Sequence, residues 1–323
     1  MHSNANGQEK KYVFYADKMG SPYTTTLYSK DSVIAALLYN KSLTIVDSLV
    51  HIISDYDSSS ELSKLNAAAG KEAIFISPFL EQLLRVGKKA YLQTNGVYTI
   101  AIGPLSKLWR NSRNTKTFPS KSQVMNAKKY INTNDLILDT IQHSAKLLHP
   151  SMQLDLGSLG KGAIAQYIVD FFKQNGIPNC MVDAGGKIVC SKAEADTSTW
   201  KIGMSLPGTN TFNKQQIVRL KNKAIASSGD QFQYFSIKDI RYSHIINPMT
   251  GYGLTELKNV TAIANNGLEA DWLATACSLL PIDKAKQLAN HYQAQLCITI
   301  KRVSQISVYK TKGFDAYFKN NFY

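Results

Sequence analysis

Long apolar runs are missing from this chain. No uninterrupted stretch reaches the roughly 18 residues that a bilayer-crossing helix needs, so no transmembrane helix is expected. Acidic residues are scarce: 23 Asp and Glu stand against 37 Lys and Arg, for a net charge of +14. The excess is scattered, as in Lys10-Lys11, Lys88-Lys89 and Lys128-Lys129, and no long block of like charge occurs. Without a helix-turn-helix, zinc-finger or RNA-binding signature, the charge points away from nucleic acid and toward an anionic membrane surface or a phosphate-bearing ligand. There are only four cysteines, Cys180, Cys190, Cys277 and Cys297. None forms a C-x-x-C pair, which excludes a zinc knuckle or a thioredoxin-type site and leaves buried free thiols as the expectation. A regular βαβ rhythm and internal repeats are also lacking. The first ten residues, MHSNANGQEK, are polar and carry no signal-peptide core, so 1–10 reads as a disordered leader.

What is present is a mixture of strands and helices that predicts an α+β fold over 11–323, as one domain or two intimate subdomains. Apolar residues make up 44% and charged residues 19%, enough for a sizeable core. Strands are expected at 12–16 and 23–29 around a Gly20-Ser21-Pro22 turn. A long helix follows, capped by Asp31 or Ser32, with Ile34, Leu38, Ile45, Leu49 and Ile53 as its apolar stripe. A short helix at ELSKLN and a third opening at Ser77-Pro78 come next. Short strands are expected near 97–102, 136–139 and 146–148, with the basic segment RNSRNTKTFPSKSQ as a surface loop. A helix over 163–174 stops at Gly176. Strands dominate 179–264, and helices over 268–280 and 283–293 precede a terminal hairpin.

Three segments could carry chemistry. In Leu154-Asp155-Leu156-Gly157-Ser158-Leu159-Gly160-Lys161-Gly162, glycines at a helix start let backbone approach a ligand, and the free amides there favour phosphate. Neither the Walker A nor the dinucleotide spacing is met. The plainer alternative is a glycine-rich turn before a capped helix. In Glu269-Ala270-Asp271-Trp272-Leu273-Ala274-Thr275, Asp271 and Thr275 are four apart on one helix face. A carboxylate with a hydroxyl suits Mg²⁺; alternatively, Asp271 serves the helix dipole and Thr275 bonds back to the backbone. The third segment joins Ser227-Ser228-Gly229-Asp230 to His244-Ile245-Ile246-Asn247-Pro248-Met249-Thr250-Gly251. His244 there is a candidate general base, or else a hydrogen-bonded strand histidine.

Taken in order, these segments resemble the ApbE family, the FAD:protein FMN transferases. The matching blocks are Met19-Gly20-Ser21-Pro22-Tyr23, Ser60 to Asn66, Gly103-Pro104-Leu105 with Leu108-Trp109, LDLGSLGKG, Asp183-Ala184-Gly185-Gly186, Ser227 to Asp230, His244 to Pro248 with Thr250-Gly251, and Ala270-Asp271 with Thr275. The resemblance implies a mixed or antiparallel, T-fold-like architecture with flanking helices. It implies Mg²⁺ on Asp271 and Thr275, helped by the Ser158 backbone carbonyl. Lys161 and Asp155 would contact FAD, Met19 and Tyr56 would line the flavin pocket, and Trp109, counted with the cofactor-binding residues, would lie beside an adenine-side contact. His244 would contact the cofactor and activate the acceptor, with Asp271 completing the catalytic pair. The implied reaction moves FMN from FAD to a Thr or Ser hydroxyl of a flavoprotein subunit of a membrane electron-transport complex and releases AMP. An FAD pyrophosphatase, or an FAD-binding protein without turnover, would use the same site. The resemblance further implies an extracytoplasmic, periplasmic location and a lipoprotein precursor whose signal segment and anchor have been removed. Three positions depart from the family pattern: Tyr98-Thr99 replaces Phe-Asp, Asn247 replaces Asp, and Ala274 stands where an acid is common.

Overall fold

The computed structural model describes residues 8–193, 199–204, 216–229, 234–237, 240–302 and 305–318. Asp230 and most of the expected leader lie outside them. The frame is an eight-stranded sheet: β1 (Lys10–Lys18), β2 (Ser21–Ser29), β3 (Cys180–Ala184), β4 (Lys187–Cys190), β5 (Lys223–Ser228), β6 (Leu257–Ala264), β7 (Gln295–Lys301) and β8 (Ile306–Lys310). The strands lie side by side in chain order, and every neighbouring pair is antiparallel.

Strand alternation divides this sheet into two apolar faces. Val182, Ala184, Val189, Ala224, Ala226, Ala262 and Ile298 belong to the main core. Residues of opposite parity, Cys190, Ile225, Ile263 and Cys297, pack with a separate hairpin formed by Trp200–Met204 and Gln216–Leu220. The main-core face is covered by helices α1 (Ser32–Ile53), α6 (Gly160–Gln174) and α7 (Gly267–Leu279). Around these lie α2 (Glu61–Ala67), α3 (Pro78–Gln93), α4 (Gly103–Thr115), α5 (Lys121–Lys128) and α8 (Ile282–His291). The α+β architecture with antiparallel sheets and flanking helices matches the sequence expectation. All four cysteines are buried free thiols, as expected.

Several local expectations are corrected. The β1–β2 turn is the two-residue Met19-Gly20, with φ of 54° and 65°, the left-handed pair that suits the twist of a tight hairpin. Ser21 and Pro22 already belong to β2. Asp31 caps α1 through bonds to the Val33 and Ile34 N–H groups, but the buried stripe is Ala35, Leu38, Ser42, Val46 and Leu49, and Ile34 is exposed. Small residues set that face, because the helix lies close against its neighbours. By length and composition alone, α1 is long and apolar enough to cross a membrane, with 22 residues and a window hydropathy of 1.4. Asn40, Lys41 and Asp47 interrupt its run, and Asp47 pairs with Lys18 at 2.6 Å.

Residues 97–102 form no strand but a turn into α4. RNSRNTKTFPSKSQ is mostly helical rather than a loop: it ends α4 and starts α5. Pro104 in the first turn and the Ser120–Gln123 capping box specify those two starts. Gly176, at φ 83°, ends α6 as expected.

Candidate active site

The site begins where α6 and α7 cross. A Cβ placed on Gly162 would stand 2.1 Å from the Gly267 carbonyl oxygen, and one on Gly267 would stand 2.2 Å from that of Gly162. Only two glycines permit this approach. It brings the Asp271 side chain, on the second turn of α7, onto the opening turn of α6. The Gly162 N–H donates to Asp271 Oδ2 at 2.9 Å. Asp271 is 1% exposed, so the carboxylate is held in a fixed direction. Its other oxygen faces the Lys187 ammonium, with Oδ1 and Nζ 3.3 Å apart. Lys187 also donates to the Ser227 carbonyl.

Thr275, one turn beyond Asp271, has its hydroxyl 3.4 Å from both the Asp271 carbonyl and the Ser228 hydroxyl. The back-bonding contact foreseen as the plainer alternative is therefore present, though long. The same hydroxyl sits beside a second hydroxyl from β5. Lys161, at the start of α6, donates to Ser21 Oγ at 2.9 Å. Burial, then the Lys187 ammonium, push its pKa below the ordinary lysine value, while Asp271 pulls the other way. Two ammonium groups thus flank one carboxylate.

Asp155 and Ser158 occupy the turn before α6. Asp155 Oδ1 accepts from the Gly157 N–H at 2.8 Å. Burial, then the Asp55 carboxylate, raise its pKa; the Gly157 N–H, the Ser106 hydroxyl and Arg110 oppose the rise. Ser158 shares a hydrogen bond of 2.7 Å with the Tyr98 hydroxyl. Tyr98 is fully packed, leaning on Trp272 at 5.9 Å between ring centroids. The phenol at this departure from the family pattern therefore braces the turn before α6 from inside.

Arg110 ties this turn to a second region. It bonds Asp55 at 2.8 Å and lies 3.8 Å over the ring of Tyr56, which is otherwise 76% exposed. Its neighbour Trp109 is 5% exposed and stands among Phe118, Phe235, Tyr242 and Tyr252. The indole N–H donates to the Gly251 carbonyl at 2.8 Å. Trp109 is thus a wall of this aromatic lobe, with little surface left for a ligand. Met19 packs on the main core from its turn.

His244 is exposed in the bend between Ile240–Ser243 and Ile246–Asn247, not on a strand. The bend is pinned on either side by the Ser243 N–H to Leu254 carbonyl and Leu254 N–H to Ile245 carbonyl bonds. Asn247 Oδ1 accepts from the Met249 N–H at 2.8 Å. An amide oxygen does this as well as a carboxylate, so the departure from Asp leaves the turn intact. Ala274 is fully buried and offers no ligand atom.

Sequence reasoning missed Lys187, Arg110 and Asp55. Lys187 directly follows Gly185-Gly186, whose φ values of 63° and 83° make a tight hairpin turn that aims β4 back at α7. That glycine pair was the available signal. Arg110 lay hidden in a segment read as a loop.

One buried carboxylate, two ammonium groups and a glycine-opened helix start are an arrangement suited to a phosphate-bearing ligand. Comparison with known proteins gives the particular group: the chain belongs to the ApbE family, whose profile matches residues 19–299. A relative named FAD:protein FMN transferase from Klebsiella pneumoniae (strain 342) is 27% identical over 274 residues, 84% of each chain. Another of that name from Chlamydia muridarum is 28% identical over 295 residues, 90% of each. Among solved structures, the apo form of Pseudomonas stutzeri flavinyl transferase ApbE superposes with a TM-score of 0.85 at 25% identity, covering 96% of this chain and 98% of that one. The ApbE protein of Thermotoga maritima shares the fold, with a TM-score of 0.86 at 21% identity.

Proposed function

We propose that this protein is a flavin transferase that uses Mg²⁺ to move FMN from FAD onto a hydroxyl side chain of an acceptor protein. The observation that carries the reading is Asp271: a buried carboxylate with one oxygen fixed by the Gly162 N–H and the other turned to a cation. The residues present fit Mg²⁺. Among the described residues no three His, Cys, Asp or Glu side chains gather into a cluster. One acid with the Thr275 hydroxyl and the Ser158 carbonyl is a sparse oxygen set, of the kind that Mg²⁺ completes with water and phosphate oxygens. When bound, Mg²⁺ would neutralise charge on the diphosphate oxygens.

The chain's own residues do the rest by placement. Lys161 and the free amides at the start of α6 bind the diphosphate. Asp155 contacts FAD beside Lys161, and Tyr56 and Met19 border the flavin side. His244, exposed on its pinned bend, takes the proton of the incoming hydroxyl. The hydroxyl oxygen bonds to the FMN-side phosphorus, the bond from that phosphorus to the bridging oxygen breaks, and AMP leaves with the bridging oxygen. The names of the relatives support this reaction. The acceptor implied is a flavoprotein with an accessible Thr or Ser.

Incubation with FAD, Mg²⁺ and a Thr- or Ser-bearing acceptor fragment, read by mass spectrometry, tests this. A gain of one FMN on the fragment is expected, absent with Asp271→Asn and slowed about 100-fold with His244→Ala, a larger effect than that substitution has on FAD affinity. FMN and AMP with no gain on any acceptor would make the protein a pyrophosphatase. Unconsumed FAD would end the proposal.

A further inference from the structure

We infer that Lys187 is a tethered cation that holds the metal position at Asp271 while the site lacks Mg²⁺, and that it turns to the ligand's phosphate when the metal arrives. The inference rests on the metal reading above. Asp271 Oδ1 can face one cation at close range. The Lys187 ammonium is 3.3 Å from that oxygen, with only 16% of its side chain exposed. Its second partner, the Ser227 carbonyl, steadies it from β5. Lys187 opens β4 immediately after Gly185-Gly186, so its backbone is held by the sheet while the ammonium sits at the end of a four-carbon stem with several rotatable bonds.

Charge bookkeeping shows why both positions matter. Lys161, Lys187 and Asp271 sum to one positive charge. A diphosphate diester adds two negative charges, which leaves the site with one net negative charge, and a divalent cation reverses the sign. Without Lys187, Asp271 would keep the Gly162 N–H and the more distant Lys161 ammonium but lose its close ion pair, a costly change for a buried carboxylate. Lys187 thus keeps the empty site folded and competes with the metal for the same oxygen. It also adds an ammonium beside Lys161, which Asp271 needs less once a metal sits there. A lysine rather than an arginine fits the task, because a compact ammonium can give up one oxygen for another without breaking a bidentate fork.

This assignment predicts effects of opposite sign from one substitution. Lys187→Met keeps the stem and removes the charge. Mn²⁺ alone, titrated into the FAD-free protein and followed by electron paramagnetic resonance, should bind about tenfold more tightly to Lys187→Met than to the wild type. FAD without metal, followed by its fluorescence, should bind about tenfold more weakly. Lys187→Arg, which restores the charge, should bring Mn²⁺ affinity back toward the wild-type value. A Lys187 that merely supports the fold would weaken both ligands when replaced, and that result overturns the inference. Equal Mn²⁺ affinity in wild type and Lys187→Met also overturns it, provided Asp271→Asn lowers Mn²⁺ binding. If Asp271→Asn binds Mn²⁺ as the wild type does, the metal reading itself fails and takes the inference with it.

Discussion

The helix crossing and the aromatic lobe hold their functional residues by opposite means. At the crossing, backbone meets backbone: Gly162 and Gly267 approach so closely that a single added carbon on either collides with a carbonyl oxygen. In the lobe, Trp109, Phe118, Tyr242 and Tyr252 interlock by their rings, and one indole hydrogen bond fixes the register. Backbone contact fixes the direction of the Asp271 carboxylate to within the play of two helices. Interlocked rings hold their place by packing and can adjust to one another.

Three substitutions would break or sharpen that contrast. The largest effect should come from Gly162→Ala. The new methyl meets the Gly267 carbonyl and the Asp271 Cβ, so α6 and α7 must separate, at a cost of about 3 kcal/mol. Urea unfolding should show the loss, and divalent-cation binding should vanish in whatever remains folded. A stable, metal-binding variant would mean that the crossing is not what aims Asp271.

A smaller effect is expected in the lobe. Trp109→Phe keeps the ring stack but leaves the Gly251 carbonyl without its donor, which should destabilise by about 1–2 kcal/mol. FAD should bind less tightly only through a shift of the lobe that carries Arg110 over Tyr56, while metal affinity holds. Equal loss of both ligands would show that the two regions are one rigid unit.

The smallest effect concerns Asp155. Burial lifts its pKa in the fold above the ordinary 3.8. The unfolded chain therefore ionises first as pH rises, and the fold loses stability through the interval from 3.8 up to the raised value. Asp155→Asn, which can still accept from the Gly157 N–H, should melt slightly higher than the wild type at neutral pH. The difference should disappear below about pH 3.5, where both forms are uncharged in either state. A difference that persists in acid would assign the effect to packing.

Much of the crossing could be read from the sequence, and much of the lobe could not. Helical spacing puts Asp271 and Thr275 on one face and glycines mark LDLGSLGKG ahead of a helix, but each segment alone left a plainer alternative open, and only their order with the other blocks singled them out. Their partner Lys187 did not stand out, because it reaches Asp271 across a distance set by sheet register and a glycine hairpin, neither of which periodicity encodes. The eight strands were mostly visible as alternation, but their side-by-side order was not, since long excursions separate β2 from β3 and β4 from β5. In the lobe, α4 and α5 are polar and short, with helix signals confined to Pro104 and one capping box. That is why Arg110 passed as part of a loop. The stripe of α1 was misjudged for a related reason: Ala35 and Ser42 are buried by close approach, which hydropathy does not reward.

The bond from the Gly162 amide to Asp271 has a consequence for the lifetime of the site. That amide is buried between two helices that cover the middle of the sheet, yet it belongs to the opening turn of α6. Its exchange with solvent therefore reports on the crossing directly, at whatever free energy that turn opens. Protection as high as that of the central strands is expected if the two glycines stay in contact for as long as the fold lasts.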